Sequence, residues 1–193
     1  MVGCDDEPDA RVDAPHCGVV AADPALLETL RPDKLLPATD EVPERFELGT
    51  LPYELMAGTT AAIDFLAGLA EGHAGSRRDR LVAGYAAMHQ HEKHLRDLLE
   101  PTLRDLPGVQ VYSNAGRRTP TILFTIDGWD NQQLRTEMAA RWINAPAGNF
   151  YAIECSRHLG LGDAGGIRVG LAPYTSEDDI ERLLAALREM LLG

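Results

Sequence analysis

The chain has 193 residues, a formal net charge of -12 at pH 7 and the apolar and charged fractions of an ordinary globular protein. This length suits one good-sized domain or two small ones. The excess of acidic residues argues against nucleic acid or an anionic membrane as a general partner. No apolar stretch has transmembrane length and the N-terminus lacks a signal core, so we expect a cytoplasmic protein with no membrane partner.

The N-terminal part of the sequence combines short elements with loops. Residues 1–13 are acidic and aperiodic, which predicts a disordered tail. The apolar run at 17–21 suits a buried strand, and Asp23-Pro24 predicts a brief helix over 25–30. Residues 31–50 are rich in proline and charge, so we expect a surface loop there.

Two helices are predicted next. Apolar residues at helical spacing place the first over 51–70 and a longer second helix around 81–103, which Pro107-Gly108 ends. The second helix carries three histidines that could suggest a metal site: His89, His91 and His94. A helix turns by about 100° per residue, which puts His89 nearly opposite the other two. We therefore interpret the histidines as part of a polar helix face and predict no metal site.

The C-terminal part mixes strands and helices. The pattern predicts strands at 109–113, 121–126, 141–144 and 166–171, a helix over 130–140 capped by Asp130, and a terminal helix. Ser176 and Asp179 have the spacing of a capping box at the start of that last helix. This order of elements predicts an α+β fold, with a small and largely antiparallel sheet covered on one side by helices.

Arg168 is the candidate functional residue of the last predicted strand. Ile167 and Val169 flank it, so the period of two directs Arg168 away from the apolar face. A planar guanidinium on a rigid strand suits bidentate capture of a carboxylate. A solvent-facing arginine on an edge strand would give the same pattern.

Three other features have a structural interpretation beside a functional one. Gly49 and Thr50 precede a predicted helix and could offer N–H groups and a hydroxyl to an anion, but Thr50 could equally be an N-cap. The glycine-rich run at 160–166 lacks the phosphate-binding strand-to-helix pattern and predicts a flexible turn. The three cysteines are far apart without metal or disulfide spacing, and we expect Cys155 to pack rather than to react.

Four segments, in chain order, resemble class V aminotransferases, the pyridoxal-phosphate (PLP) enzymes that include the cysteine desulfurases. The four segments are 14–19, 45–50, 148–152 and 166–175. The resemblance implies the C-terminal small domain of a fold-type I PLP enzyme at 76–193, preceded by a remnant of the large domain at 14–75. It also implies PLP as cofactor, an amino-acid substrate and a twofold dimer.

The resemblance assigns roles to individual residues. Arg168 would bind the substrate carboxylate. Thr50, with Gly49 beside it, would bind the PLP phosphate of the neighbouring subunit. His16 would belong to the cofactor-binding segment that follows the lysine to which PLP is attached in this family.

Two positions differ from the family pattern. Arg11 stands at the PLP lysine position, and a guanidinium stays protonated and is a poor nucleophile toward an aldehyde. The chain's two lysines, Lys34 and Lys93, match no family position. Tyr151 stands where the desulfurases have their persulfide-forming cysteine.

These differences predict a C-terminal portion of a PLP-dependent transferase or lyase that is inactive alone and needs an N-terminal half. Whether the chain is itself an enzyme stays open at this point. The alternatives are a non-catalytic binding module and a pseudoenzyme that pairs with an intact paralogue and donates Thr50 to its site.

Overall fold

The computed structural model describes residues 17–112 and 115–193, which form two compact units, 17–84 and Tyr85–Gly193. The predicted tail at 1–13, Arg11 and His16 lie outside the described residues. The expected domain boundary at residue 75 stays a prediction. Among the helices described, none is both long and apolar enough to cross a membrane.

The N-terminal unit is built from helices. It contains α1 (Pro24–Thr29), a 3-10 turn (Glu44–Phe46), α2 (Tyr53–Gly68) and the beginning of α3 (Arg77–Asp105). Asp23 caps α1, because its carboxylate accepts the backbone N–H of Ala25 at 2.8 Å. Helices α1 and α2 confirm the helices predicted over 25–30 and 51–70.

The predicted strand at 17–21 is wrong. These residues carry no strand and are exposed except for the half-buried Cys17. A short apolar run can be buried as a strand only when neighbouring strands satisfy its N–H and C=O groups. The four-stranded sheet described here does not include the run.

Arg45 anchors the predicted surface loop at 31–50. Its guanidinium is buried, donating to the carbonyl oxygen of Leu30 at 3.2 Å and to the carboxylate of Glu28 at 2.7 Å. The loop is therefore attached to the end of α1, although most of its other residues are exposed.

The C-terminal unit confirms the α+β prediction. Its strands are β1 (Val109–Val111), β2 (Thr121–Ile126), β3 (Ala147–Gly148) and β4 (Gly166–Gly170), in the spatial order β1-β2-β4-β3 with every pair antiparallel. Its helices are the remainder of α3, α4 (Asn131–Ala140), α5 (Ile153–His158) and α6 (Glu177–Leu192).

One face of this sheet packs against helices α3, α4 and α6. Along β2 the residues alternate between half-buried and buried, as expected for a strand with one face in the core. The largest fully buried side chains are Leu95, Leu99, Leu103, Ile122, Phe124, Leu134, Met138, Ile167 and Leu187. Ser176 and Asp179 form the predicted capping box, which fixes the start of α6.

Two local predictions for this unit are wrong. Residues 141–144 form no strand, because the chain leaves α4 in a turn at 141–142, with Trp142 in a left-handed conformation of φ 60°. The strand that pairs with β4 begins only at Ala147. Cys155 is exposed on α5 and is not packed in the core.

Candidate functional site

Arg168 lies in the middle of β4, opposite Leu123 of β2. Its neighbours Ile167 and Val169 are buried in the core, whereas Arg168 is half-buried on the other face of the sheet, as the alternation predicts. Because β4 lies between β2 and β3, the edge-strand interpretation is wrong. The arginine therefore projects from an internal strand, whose backbone is held on both sides.

The guanidinium of Arg168 lies over the ring of Phe150, with 4.1 Å between Cζ and the ring centroid. This is the geometry of a cation–π contact. In the part of the chain that the structure describes, no carboxylate or carbonyl accepts a hydrogen bond from the guanidinium. One face of the group is therefore covered by an aromatic ring, and its N–H donors are available to a ligand.

Phe150 reaches this position through an unusual backbone. Phe150 and Tyr151 both have left-handed conformations, with φ values of 54° and 63°. Non-glycine residues adopt such values at a cost of about 1–3 kcal/mol, and they often do so at functional sites. Tyr151, which follows at once, is fully exposed.

Asn149 holds this strained pair. Its side-chain oxygen accepts the backbone N–H of Tyr151 at 3.1 Å, and its carbonyl accepts that of Ala152 at 2.8 Å. Its amide group also donates to the carbonyl of Asp163 at 3.0 Å. The loop that carries Phe150 is thus tied to the glycine-rich turn that follows α5.

The glycine-rich turn at 160–166 is itself bound by side chains from other elements. Ser156 donates to the carbonyl of Gly162 at 2.6 Å, and Asn131 donates to that of Gly165 at 2.9 Å. The predicted turn is present. Its position is set by these hydrogen bonds, and it supports the loop that bears Phe150.

Two of the three α3 histidines bind the connection between β4 and α6. A ring nitrogen of His91 lies 2.8 Å from the carbonyl oxygen of Thr175, and one of His94 lies 2.7 Å from the carboxylate of Glu177. They therefore attach α3 to the segment that leads into α6. Across 17–112 and 115–193, no group of three or more His, Cys, Asp or Glu residues could hold a metal ion.

Gly49 and Thr50 lie in the N-terminal unit and are exposed. The interpretation of Thr50 as an N-cap is wrong, because α2 begins at Tyr53 after Pro52 and has no side-chain cap. Gly49 has φ 74°, a value that glycine adopts easily. Within the described residues, no acceptor binds the backbone N–H groups of Gly49, Thr50 or Leu51. This segment therefore presents unpaired donors near the N-terminus of a helix.

Comparison with known families identifies the chain's relatives. The family model for class-V aminotransferases matches residues 18–183, most of the chain. The chain belongs to the class-V aminotransferase family.

The chain is similar both to curated protein sequences and to solved structures. A probable cysteine desulfurase of Pseudomonas putida is 33% identical over 149 residues, covering 77% of this chain and 33% of the relative. The apo structure of a cysteine desulfurase from Thermococcus onnurineus has a TM-score of 0.67 and 21% identity, covering 84% of this chain and 37% of that one. The structure of a C-DES mutant with glycine covalently linked to PLP has a TM-score of 0.50 and 21% identity, with 75% and 31% covered. This class-V chain thus spans about a third of the length of these relatives.

Sequence reasoning did not indicate the roles of two residues of the candidate site, Phe150 and Asn149. The segment 148–152 was identified only by its resemblance to a family loop, which did not indicate that Phe150 would stack on Arg168. Asn149 had a weak local signal, since asparagine after glycine is common in tight turns. Its bond to Asp163 depends on the tertiary fold.

Proposed function

We propose that this chain forms the substrate-carboxylate site of a PLP-dependent enzyme that acts on an amino acid, with Arg168 as the carboxylate-binding group. The observation that carries the proposal is the guanidinium of Arg168, whose face lies against Phe150 and whose donors have no partner in the described structure. An arginine that is half-buried on an internal strand, with no hydrogen-bond acceptor among the described residues, is suited to an anionic ligand.

The chemistry of the site follows from the shape of the guanidinium. Two parallel N–H groups can donate to both oxygens of a carboxylate, which fixes the direction of the bound amino acid as well as its position. The strand backbone limits movement of Arg168, because its N–H donates to the carbonyl of Pro146 at 2.9 Å. Orientation is the contribution that this residue would make to the reaction.

The fit of PLP to the described residues is partial. The N–H groups of Gly49 and Thr50 have no acceptor among the described residues, and with the threonine hydroxyl they are donors of the kind that bind a phosphate group. They support a role for this segment at the PLP phosphate, including that of a partner subunit in a twofold dimer. When bound, PLP would withdraw electrons from the bonds at the α-carbon of the substrate.

The lysines of this chain do not fit the covalent attachment of PLP. Lys34 donates to the carbonyl of Ala38 at 2.7 Å and pairs with Asp40 at 3.1 Å. Lys93 pairs with Asp97 on the surface of α3. Both amines are engaged in ion pairs with carboxylates, whereas attachment needs an amine that is free to attack the aldehyde of PLP. We therefore propose that this chain alone does not catalyse the reaction.

The proposed role of Arg168 can be tested by ligand binding. The full chain is titrated with L-alanine and with L-alaninamide, which lacks the carboxylate, while NMR follows the Arg168 Nε–H signal. We expect L-alanine alone to shift this signal. Arg168→Gln should weaken L-alanine binding at least about tenfold, as measured from backbone signals, because charge-assisted hydrogen bonds are lost.

The matched control is Arg182→Gln, which removes an exposed arginine that pairs with Asp179 on α6. It should leave the affinity for L-alanine unchanged. Equal binding of the amide and the acid, or full affinity in Arg168→Gln, would contradict the proposed role.

A second experiment tests the proposed lack of activity. The purified chain is incubated with PLP, reduced with borohydride and mapped by mass spectrometry. We expect at most sparse and scattered labelling, because Lys34 and Lys93 are both held in ion pairs. Stoichiometric labelling of either lysine, with the absorption of a PLP–lysine adduct before reduction, would show that the chain builds a PLP site by itself.

A further inference from the structure

We infer that Phe150 is a positioning residue for Arg168, and that the loop around Asn149 exists in its strained form to keep the Phe150 ring against the guanidinium. The ligand would be the carboxylate that Arg168 binds, so this role rests on the proposed function. Phe150 itself need not touch the ligand.

The first support is the contact itself. The centroid of the Phe150 ring lies 4.1 Å from Cζ of Arg168, well inside the range of cation–π attraction. A free arginine side chain has several rotatable bonds and loses this freedom when a ligand binds. A ring that already packs against the guanidinium plane reduces this loss of conformational freedom on binding. It leaves the N–H groups at the edge of the guanidinium accessible to the ligand.

The second support is the strained backbone that places the Phe150 ring and the hydrogen bonds that hold this backbone. Two consecutive non-glycine residues, Phe150 and Tyr151, are held at positive φ. Asn149 binds the N–H of Tyr151 and the carbonyl of Asp163 and so compensates for the strain. Asp163 is in turn paired with Arg157 at 2.7 Å. These contacts connect the glycine-rich turn, through Asp163 and Asn149, to the backbone beside Phe150.

The third support is the contrast between the two rings of the loop. Phe150 is half-buried against the arginine, whereas Tyr151 is fully exposed. The left-handed conformation therefore does not merely bury aromatic surface. It directs one ring to the guanidinium and leaves the other in solvent.

The test uses the full chain with the variants Phe150→Leu and Phe150→Tyr. L-alanine is titrated as above, and NMR relaxation of the Arg168 Nε–H group is measured without ligand. In Phe150→Leu we expect L-alanine to bind about fivefold more weakly, because the ligand must then immobilise the Arg168 side chain. We also expect greater motion of the Arg168 guanidinium in this variant without ligand. Phe150→Tyr keeps the ring and should stay within about twofold of the unmodified chain.

The matched control is Trp142→Leu, which removes an exposed aromatic ring from another left-handed residue of the same unit. Its affinity and Arg168 motion should not change. The unmodified chain gives an independent readout that needs no stable variant, because the ring should shift the Arg168 side-chain proton signals upfield.

Three results would overturn the inference: no upfield shift in the unmodified chain, unchanged affinity in Phe150→Leu, or tighter binding in that variant, which would make the ring a competitor of the ligand. If Arg168→Gln still loses affinity in such a case, the proposed carboxylate site stands without Phe150. If Arg168→Gln keeps its affinity, the proposed function itself is wrong.

Discussion

Gly165→Ala should destabilise the C-terminal unit by at least about 3 kcal/mol, or prevent it from folding, because two backbones meet at this residue. A Cβ atom at Gly165 would lie 2.0 Å from the carbonyl oxygen of Gly148 and 2.6 Å from the backbone nitrogen of Asn149. Neither neighbour is a flexible side chain that could move away. Gly165 also has φ 69°, which adds strain for any L-residue.

The clash would extend to the candidate site. Gly148 pairs with Gly166 in the β3–β4 ladder, and Asn149 begins the loop that carries Phe150. Moving this backbone to admit a methyl group would break the pairing or displace the ring from Arg168. We therefore expect any folded fraction of Gly165→Ala to lose the upfield shift of the Arg168 protons.

Gly160→Ala is the control for backbone conformation alone. Gly160 has φ 78° in the same turn, but a Cβ there would meet nothing within 4 Å. We expect a cost of about 1 kcal/mol from the positive φ. Urea unfolding measures the free energy of unfolding of both variants, and the difference between them gives the cost of the contact with Gly148. Equal losses of stability would show that this contact has no effect.

The three longer helices and the main strands of the C-terminal unit follow from local patterns. The capping pair Ser176 and Asp179 marks the start of α6, and the alternation around Arg168 places the arginine on the face opposite the core. Such signals act over a few residues. They do not depend on which elements become neighbours, so the sequence alone was sufficient to predict them.

The candidate site depends on contacts that have no local signal. The strand predicted at 141–144 is absent and β3 lies at Ala147–Gly148, because nothing in the sequence indicates that Trp142 adopts a left-handed conformation. For Phe150 and Tyr151 the local preference is against the observed conformation. The bond from Asn149 to Asp163 and the close approach of Gly165 to Gly148 make this conformation possible, and both form only when distant segments fold together.

Glu100 carries the other large expected effect. Its side chain on α3 is only 12% exposed and accepts hydrogen bonds from Arg118 and Arg104. Burial of the Glu100 carboxyl raises its pKa, but the hydrogen bonds from Arg118 and Arg104 outweigh burial and hold the pKa below its ordinary value of 4.5. The charged form is therefore favoured in the folded state.

Glu100→Gln should lower the free energy of unfolding by about 2–3 kcal/mol at pH 7, because the guanidinium of Arg118, 14% exposed, would lose its charged partner. Urea unfolding measures the loss. The control Arg104→Gln removes the more exposed partner of an i,i+4 pair and should cost only about 0.5 kcal/mol. Similar losses in the two variants would show that Arg118 does not depend on Glu100.

A sharper test is the pH dependence of the difference in unfolding free energy between the unmodified chain and Glu100→Gln. A carboxyl whose pKa is lowered by folding stabilises the protein above the pKa of the unfolded chain, and this stabilisation is lost as the pH falls through the folded value. The gap between the unmodified chain and Glu100→Gln should therefore be constant from pH 7 to about pH 5.5 and should shrink below about pH 4.5. A gap that stays constant at acidic pH would mean that the glutamate stabilises α3 by its shape and packing and not by its charge.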